Sequence, residues 1–273
     1  MAHIMRKLMA GSILAAGLLT LGTVATVGAV SITTAAPAAA LEADVASRWD
    51  AVLQGYVKPV DSQGVARFDY AGLTANQADR QLLKDYIAHL ETKNPDTMSE
   101  NEALAYWANL YNAVTVDVII NNYPVTSIRK IRSGFSIGPW DKDFVTVNQT
   151  RMSLNDIEHG TMRKKFPSPL IHYMVNCASV GCPNLKDGLW HAETLDADRK
   201  AAAETFINSE RGVRITKKGL QVSSIFKWYK SDFGGNNDGL LAHIKQYGRP
   251  ELVKAIEDGA KIRGFEYDWN LNE

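Results

Sequence analysis

The chain has 273 residues, of which 30 are basic, 30 are acidic and 45% are hydrophobic. This is the composition of a globular protein. The neutral balance gives no electrostatic reason to expect nucleic acid or an anionic membrane as a partner.

The first forty residues have the pattern of a secretion signal. Arg6 and Lys7 precede an apolar stretch over 8–32, and Ala-Pro-Ala-Ala-Ala at 36–40 offers a cleavage site. We therefore predict a signal peptide over 1–40, a periplasmic or secreted mature protein, and no stable membrane insertion after cleavage. An uncleaved membrane anchor is the alternative, because the apolar stretch is long enough to span a bilayer. Cleavage leaves 28 basic and 30 acidic residues, a net charge of −2.

Residues 41–273 are predicted to form a single globular domain, because no repeat, low-complexity segment or flexible linker interrupts them. Apolar residues at helical spacing predict helices over 41–56 and 78–92. Ser99 and Glu102 form a capping box that opens a helix ending near Asn121. That helix is apolar nearly all round, so we expect it at the centre of the core.

A second capping box at 153–156 predicts a helix that carries Glu158, His159 and Arg163. Further along the chain we predict a buried strand over 170–176, a helix over 199–207, a hairpin of 213–216 with 220–222, helices over 224–233 and 240–247, and a closing strand over 267–269. The predicted fold class is therefore α+β, a helix-rich single domain with a small mixed or antiparallel sheet. By analogy alone, such a fold is loosely papain-like or transglutaminase-like.

Both cysteines of the chain lie close together, in Cys177-Ala-Ser-Val-Gly-Cys182. In an oxidising compartment the pair predicts a disulfide that closes a small loop. Alternatively, Cys177 is a nucleophile activated by a histidine. The third interpretation is a metal site of Cys177, Cys182 and His172, although the spacing is not the Cys-x-x-Cys of common zinc sites.

Two histidines are candidate bases for Cys177. In a continuous strand His172 would lie about 16 Å from Cys177 and point to the opposite face, so a direct pair requires the strand to end and turn. Otherwise His159, next to Glu158, is the first candidate. A Glu-His pair on a helix is more often a solvated face than a site, and a lone histidine in an apolar run is more often a core residue.

Asn109 and Asn112 lie three residues apart on the apolar helix. A buried amide must find hydrogen-bond partners. The structural interpretation, which we favour, is that each amide holds a loop backbone. The functional alternative is that one of them orients a catalytic imidazole or donates to a developing oxyanion.

Seven segments recur in order in a known group of proteins: 68–70, 105–113, 123–128, 154–160 with Arg163, 171–172, 176–183 and 224–233. Together they resemble the family called domain of unknown function 547. The resemblance implies that the cysteine segment also occurs in members without secretion signals, including plant proteins. Because a disulfide would not persist in the cytosol, the resemblance favours a thiol site.

The leading hypothesis is a thiol-dependent hydrolase or acyl-transfer enzyme that acts on an amide bond in a peptide or cell-wall component. Cys177 is the expected nucleophile, His172 or His159 the base, and Asn109 or Asn112 the orienting group. The expected partner is a small-molecule or peptide substrate, without a cofactor.

The rival hypothesis is a non-catalytic binding module stapled by a Cys177–Cys182 disulfide. Exposed tryptophans would then hold a glycan, peptide or protein. The tryptophans expected in that role are Trp140, Trp190 and Trp228.

Overall fold

Helix α4 (Glu100–Ile120) is the central element of the structure. The predicted capping box is present: the Ser99 backbone N–H donates to the Glu102 carboxylate at 2.8 Å, and the Ser99 hydroxyl accepts from the Glu102 N–H at 3.5 Å. The helix is long and apolar enough to cross a membrane, yet 89% of its most apolar window is buried inside the protein. This is the burial expected of a core helix.

The computed structural model describes residues 38–132, 134 and 137–273. Residues 1–37 of the predicted signal peptide, and with them the anchor alternative, lie outside the described residues. Three further helices belong to the N-terminal half: α1 (Ala38–Tyr56), α2 (Tyr70–Ala75) and α3 (Gln77–Glu91). Helix α3 packs against both α1 and α4, and the buried apolar residues of these three helices belong to one cluster.

The described residues contain two small sheets. Strands β1 (Asp143–Val147) and β2 (Thr150–Ser153) form an antiparallel hairpin that the sequence did not indicate. In the second sheet, β3 (Val213–Thr216) and β4 (Gly219–Ser223) form the predicted hairpin, and β5 (Ile262–Glu266) pairs parallel to β4. The predicted α+β class is confirmed.

The closing strand predicted over 267–269 is wrong. Pairing with β4 ends at Glu266, opposite Ser223. Beyond that point Tyr267 turns its hydroxyl to the two cysteines. The aromatic residues after β5 therefore contribute side chains to a pocket, and not hydrogen bonds to the sheet.

The buried strand predicted over 170–176 is also wrong, although these residues are buried as predicted. Pro169–Tyr173 is a 3-10 helix whose first turn is capped by Ser168, which accepts from the Leu170 N–H. A short apolar run has no periodicity that separates a buried strand from a buried helix. The helical turn places Leu170 and Tyr173 in one apolar cluster, and Ile171 and Met174 in the other.

The capping box at 153–156 opens a π-helix (Asp156–Met162), which continues into α5 (Arg163–Lys165). The C-terminal half adds α6 (Leu195–Ile207), α7 (Ile225–Trp228), α8 (Asn237–Tyr247) and α9 (Pro250–Glu257). Helix α7 is much shorter than predicted, and α9 was not predicted. The predicted helix at 199–207 begins earlier, at Leu195.

Candidate functional site

A pocket of about 270 Å³ collects side chains from distant parts of the chain. The π-helix supplies Glu158 and His159, the 3-10 helix supplies His172, and the following loop supplies Cys177 and Cys182. Five of the residues singled out in the sequence thus line one cavity. The turn after Tyr173 is what permits His172 and the cysteines to meet, since a continuous strand would separate them.

The two sulfurs lie in a tight loop. The Cys177 backbone N–H donates to Cys182 Sγ at 3.0 Å, and the Tyr267 hydroxyl lies 3.1 Å from each sulfur. Ala178 has a φ of +57°, and its N–H donates to Asn176 Oδ1 at 2.8 Å. A Cβ at Gly181 would come within 2.9 Å of the Asp268 backbone, so only glycine permits this close approach.

Both cysteines are free thiols. Cys182 is buried and Cys177 is half-buried. Burial opposes ionisation of Cys182, but hydrogen bonds from the Cys177 thiol, the Tyr267 hydroxyl and the Cys177 N–H outweigh it, so the pKa of Cys182 falls to about 7. The hydrogen bond to Cys182, together with burial, raises the pKa of Cys177 well above its ordinary value. The pair therefore loses one proton near neutral pH and retains the other.

His172 is held from one side by a carboxylate. Its Nε2 lies 2.8 Å from Asp232 Oδ2, and Arg163 donates two hydrogen bonds to the same carboxylate, at 2.7 and 2.9 Å. The hydrogen bond with His172, and then that with Arg163, hold the pKa of Asp232 far below its ordinary range despite partial burial. The Tyr229 ring stacks on the imidazole at 4.2 Å. This is the base-and-orienter arrangement of many hydrolytic sites.

Glu158 lies between the two histidines. Its Oε1 is 3.7 Å from His159 Nδ1 and 3.9 Å from His172 Nδ1. The Tyr229 hydroxyl bonds to Glu158, and burial followed by the Glu158 charge raises the pKa of Tyr229 well above its ordinary value. His159 is more exposed than His172, and its Nδ1 has no hydrogen-bond partner. Of the two predicted bases, His172 is therefore the one with a fixed orientation.

Asn109 and Asn112 do not line the pocket. Asn109 donates to the Trp190 carbonyl at 2.9 Å and accepts from the Trp190 N–H at 3.0 Å. Asn112 donates to the Met174 carbonyl and accepts from the Asn176 N–H, both at 2.9 Å. Each amide therefore donates to and accepts from the backbone of a loop, as in the interpretation that the two asparagines hold loop backbones.

One wall of the pocket is aromatic. Trp228, the most exposed of these rings at 46%, contacts Tyr267 and Trp269, and Trp140 meets Trp269 edge to face. The expectation that Trp190 is an exposed binding residue is wrong. Trp190 is only 4% exposed, because the hydrogen bonds between its backbone and Asn109 hold it in the core. There its indole N–H donates to the Met174 carbonyl.

Within the described part of the chain, no group of three or more His, Cys, Asp and Glu side chains has a geometry that would hold a metal ion. The set considered from the sequence, Cys177, Cys182 and His172, is therefore not assembled as a metal site.

Three important residues were missed in the sequence: Asp232, Tyr229 and Tyr267. Asp232 lies 60 residues from His172, and Tyr267 lies 85 residues from Cys182. No local spacing connects them to the cysteine loop. The available signal was indirect: Asp232 and Tyr229 fall in segment 224–233, which carries part of the family resemblance.

Fold and pocket together define an α+β protein with a pocket lined by a cysteine pair and an anchored histidine. Residues 95–207 match the profile of a family described as "Protein of unknown function, DUF547". The matched range contains Glu158, His159, His172 and both cysteines, while Asp232 lies beyond it. No curated protein and no solved structure matches the chain.

Proposed function

We propose that the protein is a thiol-dependent hydrolase or acyl-transfer enzyme with Cys177 as its nucleophile and His172 as its acid and base. One observation carries the proposal: Cys177 lines the same pocket as His172, and the Nε2 atom of His172 is held by Asp232, which is itself held by Arg163. A nucleophile, a base and a group that orients the base are the parts that covalent acyl transfer requires.

In the first half-reaction, Cys177 Sγ bonds to the carbonyl carbon of the substrate as its proton passes to the Cys182 thiolate. The Tyr267 hydroxyl, 3.1 Å from Cys177 Sγ, donates to the developing oxyanion. Burial, with the neighbouring cysteines, raises the pKa of Tyr267 well above its ordinary value, so its proton is retained. Protonated His172 gives its proton to the leaving group, and a thioester on Cys177 results.

In the second half-reaction, His172 takes a proton from water, which attacks the thioester and releases Cys177 as thiolate. An acceptor amine in place of water gives acyl transfer. Among the described residues no hydrogen bond joins His172 to either sulfur. His172 therefore exchanges protons with the substrate through solvent, or directly once the bound substrate lies between His172 and Cys177. Glu158 lies beside both histidines and stabilises the imidazolium.

The predicted signal peptide suggests where this chemistry takes place. We place it outside the cytoplasm, where peptide and cell-wall amides are the abundant acyl compounds. The aromatic wall of Trp140, Trp228, Tyr267 and Trp269 supports this substrate class, because exposed rings bury the apolar parts of a peptide or glycan. The binding-module alternative uses the same wall without a reacting thiol.

Reaction of the reduced protein with p-nitrophenyl acetate tests the proposal. We expect a burst of nitrophenol equal to the protein concentration, with the acetyl group mapped to Cys177 by peptide mass spectrometry. Cys177→Ala should abolish the burst, whereas Cys182→Ser, the matched control, should still acquire the acetyl group on Cys177. A burst that persists in Cys177→Ala, or no adduct on Cys177 in the wild type, overturns the assignment. Ligand binding without any adduct would instead support the binding module.

A further inference from the structure

The two thiols line one pocket and each lies 3.1 Å from the same Tyr267 hydroxyl, which allows a chemistry that needs no acyl substrate. We propose that Cys177 and Cys182 form a reversible redox couple that exchanges with low-molecular-weight disulfides. This activity goes beyond the acyl chemistry proposed above and stands independently of it.

The backbone around the loop holds the sulfurs together. Besides the Cys177 N–H bond to Cys182 Sγ, the loop is pinned by hydrogen bonds from the Val180 and Gly181 N–H groups to the carbonyls of Asn270 and Asp268, both 2.8 Å. Disulfide bonds require side chains that already lie close and point at each other. Each sulfur lies 3.1 Å from the Tyr267 hydroxyl, and the Cys177 thiol is hydrogen-bonded with Cys182, so the two side chains already lie close together.

The two cysteines differ in accessibility, which assigns their order of reaction. Cys177 is half-buried and Cys182 is 4% exposed, so an external disulfide reaches Cys177 first. Cys177 passes its proton to the Cys182 thiolate, attacks one sulfur of the disulfide, forms a mixed disulfide and releases one thiolate. Cys182 then attacks Cys177 Sγ, which breaks the mixed bond and releases the second thiolate. The pair loses two protons in all, one to solvent when the Cys182 thiolate forms and one when Cys182 attacks, and the two released thiolates take up two protons. Two protein thiols are thereby oxidised and one disulfide is reduced.

Arg211 supplies a positive charge that favours the thiolate form of the pair. Its guanidinium donates to the carbonyls of Val180 at 2.9 Å and Gly64 at 3.0 Å, and to the Asn184 side chain, which are all neutral acceptors. Its Nε is enclosed without a hydrogen-bond partner. Burial lowers the pKa of Arg211 to about 10, and the nearby Cys182 opposes this shift. A partly buried guanidinium with neutral partners needs a nearby anion, and the cysteine pair provides one.

The test equilibrates the purified full chain with buffers of reduced and oxidised glutathione, followed by acid quenching, alkylation and mass spectrometry. We expect the wild type to lose two hydrogen atoms without retaining glutathione. The fraction of molecules that contain the Cys177–Cys182 disulfide should rise from about a tenth to about nine tenths. This rise should take roughly an 80-fold increase in the concentration of oxidised glutathione divided by the square of the concentration of reduced glutathione. Dithiothreitol should return all molecules to the dithiol.

The single variants separate the two roles. Cys182→Ser should stop at a mixed disulfide on Cys177, with the mass of one glutathione, whereas Cys177→Ser should stay unmodified over the time in which the wild type closes. The proposal is overturned if the wild type stays reduced in the most oxidising buffer, if it accumulates glutathione adducts without closing, or if Cys177→Ser reacts as fast as Cys182→Ser. No acyl substrate is present in this experiment. A negative redox result therefore does not contradict the proposed acyl transfer, and a negative acylation assay does not contradict the redox proposal.

Discussion

At the scale of single residues, the orientation of His172 depends on Asp232. Asp232→Asn keeps the size of the side chain but removes the charge that faces His172 and Arg163. We expect deacylation of the acetylated enzyme to slow by about 100-fold or more, since an amide misorients the imidazole. The stoichiometric burst on Cys177 should remain, because His172 is not needed to form the thiolate. Stopped-flow measurement of burst amplitude and steady-state rate separates these effects.

Ser231→Ala is the matched control for this substitution. Ser231 donates to the same carboxylate at 2.8 Å, but its removal leaves the charge and the His172 bond in place. We expect its deacylation rate to stay within about threefold of wild type, because one exposed neutral hydrogen bond contributes little. Equal deacylation by Asp232→Asn and wild type would show that Asp232 does not position the base.

Single residues also show what the sequence was able to reveal. The cysteine pair and His172 stood out because thiols and imidazoles are rare beside apolar runs, and His159 stood out because it follows Glu158. All four side chains line one pocket. Asp232 did not stand out, because an aspartate in a polar segment is ordinary until the fold places it against His172. The Trp190 error has the same origin: its exposure depends on Asn109, 81 residues away.

At the scale of elements, helix α4 fixes the loop that carries the cysteines. Asn112→Ala would leave the buried Asn176 N–H without a partner and would remove one of the two hydrogen bonds to the Met174 carbonyl, which still accepts from the Trp190 indole. One unsatisfied buried N–H costs about 1–3 kcal/mol and the lost second hydrogen bond to Met174 about 1 kcal/mol, so we expect the free energy of unfolding to fall by about 3 kcal/mol. Urea unfolding measures it. Asn101→Ala, an exposed asparagine in the first turn of the same helix, is the control and should change stability by less than about 0.5 kcal/mol.

The same pair of variants tests the role of the amide at the site. Unchanged stability in Asn112→Ala, combined with loss of the acetyl burst, would mean that Asn112 acts on the reaction and not on the loop.

The capping box made α4 predictable, since Ser99 and Glu102 act within one turn. The 3-10 helix at Pro169–Tyr173 was not predictable in this way, because its conformation is selected by burial on two sides.

At the scale of the whole molecule, patterning was sufficient for the fold class and most helices but not for the arrangement of the sheets. The β3–β4 hairpin follows from local turn chemistry, whereas the parallel pairing of β5 joins segments about 40 residues apart. The apolar residues form two clusters, which meet at the 3-10 helix. The pocket residue His172 comes from this same helix, so the geometry of the site depends on the packing of both clusters.

One buried histidine makes the second cluster sensitive to acid. His243 is 8% exposed, lies between aromatic rings, and its Nε2 is 2.7 Å from the Tyr173 hydroxyl. Burial, with a smaller contribution from His172, lowers the pKa of His243 to about 4. The unfolded chain takes up this proton near pH 6.5, so the stabilising effect of neutral His243 is complete above pH 6.5 and is lost progressively between pH 6.5 and pH 4.

At pH 5 this linkage amounts to about 2 kcal/mol, from about 1.4 kcal/mol per pH unit. His243→Gln retains an acceptor for Tyr173 but does not titrate. We therefore expect its free energy of unfolding to fall by about 2 kcal/mol less than that of wild type between pH 7.5 and pH 5, as measured by urea unfolding. Contributions from other groups cancel in this difference. An identical pH dependence for the two proteins would mean that His243 is protonated as readily in the folded state as in the unfolded chain, in conflict with its buried position.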